Sequence, residues 1–132
     1  MSGGERRTDS RAARIYHLTT DDAWTEALAQ GVYRLSTRGL TLGEVGFIHC
    51  SYANQVTKVA DLLYSDVPEL LLLVIDPRRS TSPLRAENLE GGEELFPHLY
   101  GPLDPAAVER VIRMERGEDR RFRLPADLHP AG

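Results

Sequence analysis

The stretch Leu70–Ile75, reading LLLLVI, constrains this chain more than any other. A row of aliphatic residues has neither the two-residue alternation of a half-exposed strand nor the stripe of an amphipathic helix. It reads as a strand buried on both faces, so the fold must supply an apolar layer on each side of it. Asp76-Pro77 closes the strand, because proline has no N–H to give a central ladder. A chain of 132 residues has room for one domain built around such a strand.

The layers come from the segments on either side. Arg14–Leu18 (RIYHL) is a short β-favouring run and reads as the first strand. Thr19 or Thr20 then caps a helix with Asp21 and Asp22 in its first turn, where the dipole favours anions. Ala23, Trp24, Ala27 and Leu28 form its apolar stripe, and Gly31 is its stop. Val32–Leu35 reads as a short strand and the run 36–45 as a loop. Gly46–Ser51 reads as a strand ending at Ser51, which caps a second helix running to about Tyr64. After the central strand come Leu84–Leu89, a glycine turn, the proline-bracketed FPHLYGPL, a turn at Asp104-Pro105, and a last strand Val108–Met114. Arg121–Pro125 adds an edge strand. Two main helices, both early, among mostly strands predict an α+β fold with central mixed or antiparallel sheets. The expected organisation is a disordered arm over 1–13, one domain over 14–125 and a flexible tail over 126–132.

Composition narrows the function. With 16 basic and 20 acidic residues, the net charge of −4 argues against a grip on long nucleic acid. The single cysteine, Cys50, excludes an internal disulfide and a cysteine-cluster metal site. No apolar run is long enough to span a bilayer, and the polar N-terminus has no signal-peptide core. A cytoplasmic protein is expected, as a monomer or weak homodimer.

Three of the four histidines sit in apolar, strand-like strings: His17 in IYHL, His49 in FIHC and His98 in FPHLYG. The fourth, His129, lies in a proline-containing tail. Alternation puts Phe47 and His49 on one face of their strand and Ile48 and Cys50 on the other. Cys50 therefore reads as a small buried hydrophobe rather than a nucleophile beside His49. Tyr100 shares a face with His98 if the segment is extended, and Pro97 and Pro102 stiffen it. His17, His49, His98 and Tyr100 are the candidate catalytic groups and are expected to line one cleft. Each histidine alone could equally be a hydrogen-bonded core residue. Ser51 reads first as a helix cap, a position that also brings amides near an anion. Glu87, Glu90, Glu93 and Glu94 form a local acidic cluster, most simply a solvated turn.

The strings IYHL, GFIHCS, LLLLVIDP and ELFPHLYGPL, over about residues 14–125, resemble the bacterial domain-of-unknown-function family 952. Through it the chain resembles the ADP-ribosyltransferase-like proteins, and more distantly the RNA 2′-phosphotransferases, whose strand-borne histidine is followed by a hydroxyl residue as in Ile48-His49-Cys50-Ser51. That resemblance implies an ADP-ribosyltransferase-like fold and NAD as a substrate. It implies contacts to the nucleotide from His17 and from the stretch around His49, and Ser51 and Phe96 are the further candidate nucleotide contacts. The late glutamate of that superfamily has no match, because His98 and Tyr100 stand in the corresponding stretch.

Three functions follow as expectations. The first is binding of NAD or an ADP-ribose-like nucleotide in a histidine-lined cleft, with ADP-ribosyl or phosphoryl transfer or hydrolysis as reaction classes. The second is a non-catalytic module that recognises a nucleotide or small anionic metabolite. The third is a metalloenzyme holding zinc through His17, His49 and His98; no metal ligand is assigned on the first two.

Overall fold

The computed structural model describes residues 14–88, 92–125 and 128. The expected arm over 1–13 and almost all of the tail over 126–132 lie outside the described residues.

Strand β5, Glu69–Ile75, is the central strand, and every residue from Leu70 to Ile75 is buried. It pairs antiparallel with β1 (Ile15–Thr19) on one edge and with β8 (Val108–Glu115) on the other. Its two faces feed two separate cores. Leu71, Leu73 and Ile75 pack with Ile15, Trp24, Ala27, Tyr33, Ile48 and Leu99. Leu70, Leu72 and Val74 pack with Tyr16, Leu18, Val56, Val59, Ala60 and Tyr64.

The first core is covered by helix α1, Asp21–Gln30. Thr20 caps it, its Oγ1 accepting from the Ala23 amide at 3.3 Å, and Gly31 ends it at φ +78°, a left-handed turn that costs glycine little. A hairpin of β2 (Leu35–Thr37) and β3 (Leu40–Thr41) and the single turn α2 (Leu42–Val45) follow. The span expected to be a loop thus holds ordered structure: Thr41 and Glu44 form a reciprocal capping box around α2.

Strand β4 is only Ile48–His49, and helix α3 is Val56–Leu63, which covers the second core. The expected cap at Ser51 is corrected. Ser51 bridges to Tyr16 through both backbone bonds, at 2.7 and 2.8 Å, and so extends the chain rather than starting a helix. The helix instead follows a 3₁₀ turn at Ala53–Gln55, with Gln55 Oε1 accepting from the Tyr52 amide. Pairing to β1 wins because it saves two buried backbone groups.

A second antiparallel sheet has the order β4-β7-β6, with β6 at Leu84–Glu87 and β7 at Phe96–Leu99. The expected edge strand over Arg121–Pro125 is reduced to one bridge, Arg116 with Phe122. The architecture is α+β with few helices, and every described pairing is antiparallel. No helix among the described residues is long and apolar enough to cross a membrane.

Candidate functional site

Register decides which side chains meet on the second sheet. His49 lies opposite His98, Arg85 opposite His98, and Glu87 opposite Phe96. Directly opposed residues share a face, so His49, His98 and Arg85 form one row and Phe96 and Glu87 the next. Ile48 and Leu99 alternate inward and are fully buried in the first core. The same alternation carries the outer face on to Phe47 and Tyr100, which the antiparallel register brings together at one end of it.

The rings on that face are in contact. Phe47 stacks on His98, centroids 4.0 Å apart and planes 15° from parallel. His49 lies 5.4 Å from His98 and 5.0 Å from Phe96, and Phe47 lies 5.4 Å from Tyr100. Beneath Phe47 the His98 residue keeps 3% of its surface exposed, whereas His49, Phe96 and Tyr100 are half-buried.

Glu87 organises the polar part. Its Oε1 is 3.0 Å from His98 Nδ1 and accepts the Tyr100 hydroxyl at 2.5 Å. A carboxylate facing Nδ1 keeps the proton on that nitrogen, so a neutral His98 carries its basic lone pair on Nε2. The bond from Tyr100, and then that from His98, holds the Glu87 carboxyl below its ordinary value. The same carboxylate raises the Tyr100 phenol. The Arg85 guanidinium stands 5.1 Å from the Tyr100 ring centre.

His17 is brought near but not into this face. It projects into the first core with 3% exposure, Nδ1 2.8 Å from the His49 carbonyl and Nε2 2.7 Å from Tyr33 Oη. Burial pushes its pKa down to about 4, so it is neutral near pH 7. A carbonyl can only accept, so Nδ1 carries the proton and Nε2 accepts the Tyr33 hydroxyl. Thr19 Oγ1, 2.8 Å from Tyr33 Oη, completes the chain. For His17 the structure therefore gives a satisfied core histidine that fixes the backbone of His49. With both nitrogens taken, it is not free to join His49 and His98 on a metal, and no cluster of metal-ligating residues is found among the described residues.

Ser51 is 4% exposed, its backbone bridged to Tyr16 of β1. Cys50 is fully buried and its thiol is pushed up to about 12 by desolvation, as expected of a packed hydrophobe rather than a nucleophile. Of the acidic cluster, Glu94 serves Lys58 and Gln55, and Glu90 lies outside the described residues. Glu87 stands apart from the solvated turn expected for that cluster, and no local motif marks Arg85. The signal for both is the β6–β7 register, which places them across from Phe96 and His98.

Comparison with known proteins gives a family but no activity. The crystal structure of CC0527 from Caulobacter crescentus superposes with a TM-score of 0.75 at 28% identity, covering 88% of this chain and 98% of that one. A double mutant of CC0527 matches equally. The solution structure of CC0527 gives a TM-score of 0.68 at 29% identity, over 82% of this chain and 90% of that one. No curated protein matches the chain. The model of the family described as protein of unknown function, DUF952, matches residues 18–111, and the chain belongs to that family.

Proposed function

We propose that this DUF952 protein binds a small nucleotide such as NAD or ADP-ribose on the outer face of the β4-β7-β6 sheet. One observation carries the reading: a single carboxylate oxygen of Glu87 holds both His98 Nδ1 and the Tyr100 hydroxyl. That arrangement fixes one imidazole tautomer next to a wall of aromatic rings, the combination a site needs to stack a planar base and move one proton. Phe47, Phe96 and Tyr100 supply ring faces, His49 a second imidazole, and Arg85 a cation for a diphosphate. His17 is a positioning residue that acts through the His49 carbonyl. The resemblance to ADP-ribosyltransferase-like proteins suggests the reaction. Water or another hydroxyl attacks the ribosyl C1′, its proton passes to His98 Nε2, and the C1′–nitrogen bond breaks with its electrons leaving on nicotinamide.

The test is calorimetric titration of the full chain with NAD, ADP-ribose and nicotinamide, repeated with Glu87→Gln and Tyr100→Phe. The expected result is binding that weakens about tenfold in each variant, equal to about 1.4 kcal/mol. No heat at millimolar ligand, or equal binding by all three proteins, would overturn the reading. A second reading, a binding module without turnover, is favoured by the packing of Phe47 over His98, which leaves the imidazole little exposed. Mass spectrometry of bound nucleotide separates the two: unchanged nucleotide after prolonged incubation supports the module.

A further inference from the structure

A cleft of about 340 Å³ lies away from the aromatic face, between α1 and the β2–β3 hairpin. That volume falls at the lower end of the roughly 300–1,000 Å³ of small-molecule pockets. One wall is a single stripe of α1, because Ala23, Glu26, Ala27 and Gln30 recur at helical spacing. The other comes from the segment 32–35 with Thr41 and Gly43. Ala27, Val32, Tyr33 and Leu35 make the lining largely apolar.

Two side chains of opposite charge, Glu26 and Arg34, also line the cleft. They do not neutralise each other. Glu26 Oε2 accepts the Gln30 side-chain amide at 3.0 Å, and the Arg34 guanidinium has no partner among the described residues. Elsewhere on this surface arginines do find carboxylates: Arg38 pairs with Asp66, Arg113 with Asp21 and Glu69, and Arg123 with Asp119. Opposite charges held apart around an apolar floor match a ligand that carries both charges itself. An ammonium would meet Glu26, a carboxylate would meet Arg34 as a bidentate pair, and an aliphatic body would lie on the floor.

We propose that this cleft is a second ligand site, for a small zwitterion with an apolar body, an aliphatic α-amino acid being the simplest case. It shares no lining residue with the nucleotide face and does not depend on that reading. The experiment is a nuclear magnetic resonance titration of the full chain with L-leucine, N-acetyl-L-leucine and L-leucinamide, each to about 10 mM, where even a weak site saturates appreciably. Leucine should perturb the amides of residues 23–35 and 41–43, and each blocked derivative should bind at least tenfold more weakly. Glu26→Gln should abolish the discrimination against N-acetyl-leucine, and Arg34→Gln that against leucinamide. Both residues are exposed, so the variants should keep the parent spectrum without ligand. Absence of leucine binding, equal binding of the three compounds, or unchanged selectivity in both variants would each overturn the proposal.

Discussion

Acid should begin to destabilise this protein as pH falls below about 6.5, and His17 is the reason. In the folded state its pKa is about 4, whereas an unfolded histidine titrates near 6.5. Between those values the unfolded chain takes up a proton that the native imidazole refuses. Stability therefore rises with pH across that window and is lost as pH falls through it. The full shift corresponds to about 3 kcal/mol at about 1.4 kcal/mol per unit, and linkage puts about 2 kcal/mol of it between about pH 7 and about pH 4.5. The assay is urea unfolding at those two pH values for the parent and for His17→Asn, whose side-chain amide can still donate to the His49 carbonyl. Near pH 7 the variant should be weaker by about 1–2 kcal/mol, since Tyr33 loses its imidazole acceptor and keeps only Thr19. Near pH 4.5 the gap should close or reverse, because only the parent carries the protonation penalty at this site. Equal pH dependence in parent and variant would refute the assignment of His17 as a buried neutral imidazole.

Asp76 opens a second, lower window. The bond from the Arg78 side chain holds its carboxyl down to about 2 although burial opposes this, so the pair stabilises above the ordinary value of 3.8 and fails as pH falls toward 2. Asp76→Asn should cost about 2 kcal/mol in urea at neutral pH and flatten the parent's decline below about pH 4. Gly101 sits at φ +151°, and a Cβ there would come within 2.4 Å of Ser82 Oγ. Gly101→Ala should lose roughly 1–3 kcal/mol in thermal or urea unfolding, and a neutral effect would contradict so tight a turn. Glu87→Gln should let the Tyr100 phenol ionise at lower pH, seen by near-ultraviolet absorbance, because the carboxylate that raises it is gone.

Segments are legible in the sequence where each has a local cause. The aliphatic run of β5, the threonine cap and glycine stop of α1, and the Asp104-Pro105 turn all follow from chemistry within a few residues. The two departures have different causes. Ser51 has the right chemistry for a cap, but a partner at Tyr16, distant in sequence, claims its backbone. The run 36–45 looks like a loop because its glycines are conspicuous, while its order comes from the capping pair Thr41 and Glu44 three residues apart. At Ser51 local propensity loses because a buried backbone group finds a better non-local partner, whereas at Thr41 and Glu44 a local pair outweighs the glycines around it.

The same distinction runs through the candidate site. Alternation within one strand is enough to put Phe47 with His49 and His98 with Tyr100 on shared faces, and to turn Cys50 inward. It does not say which strand lies beside which. Glu87 looks like one more acid before a glycine turn until the β6–β7 register sets it opposite Phe96 and within reach of His98 and Tyr100. His17 shows the reverse case. Its string resembles those of His49 and His98, yet β1 lies in the first sheet and points it at Tyr33 and a carbonyl, where burial removes its charge. Two histidines opposed on neighbouring strands share the outer face, and the third supports that face from within the core. The chemical role of an imidazole here follows from its sheet and register, and its residue neighbours in sequence carry only half of that information.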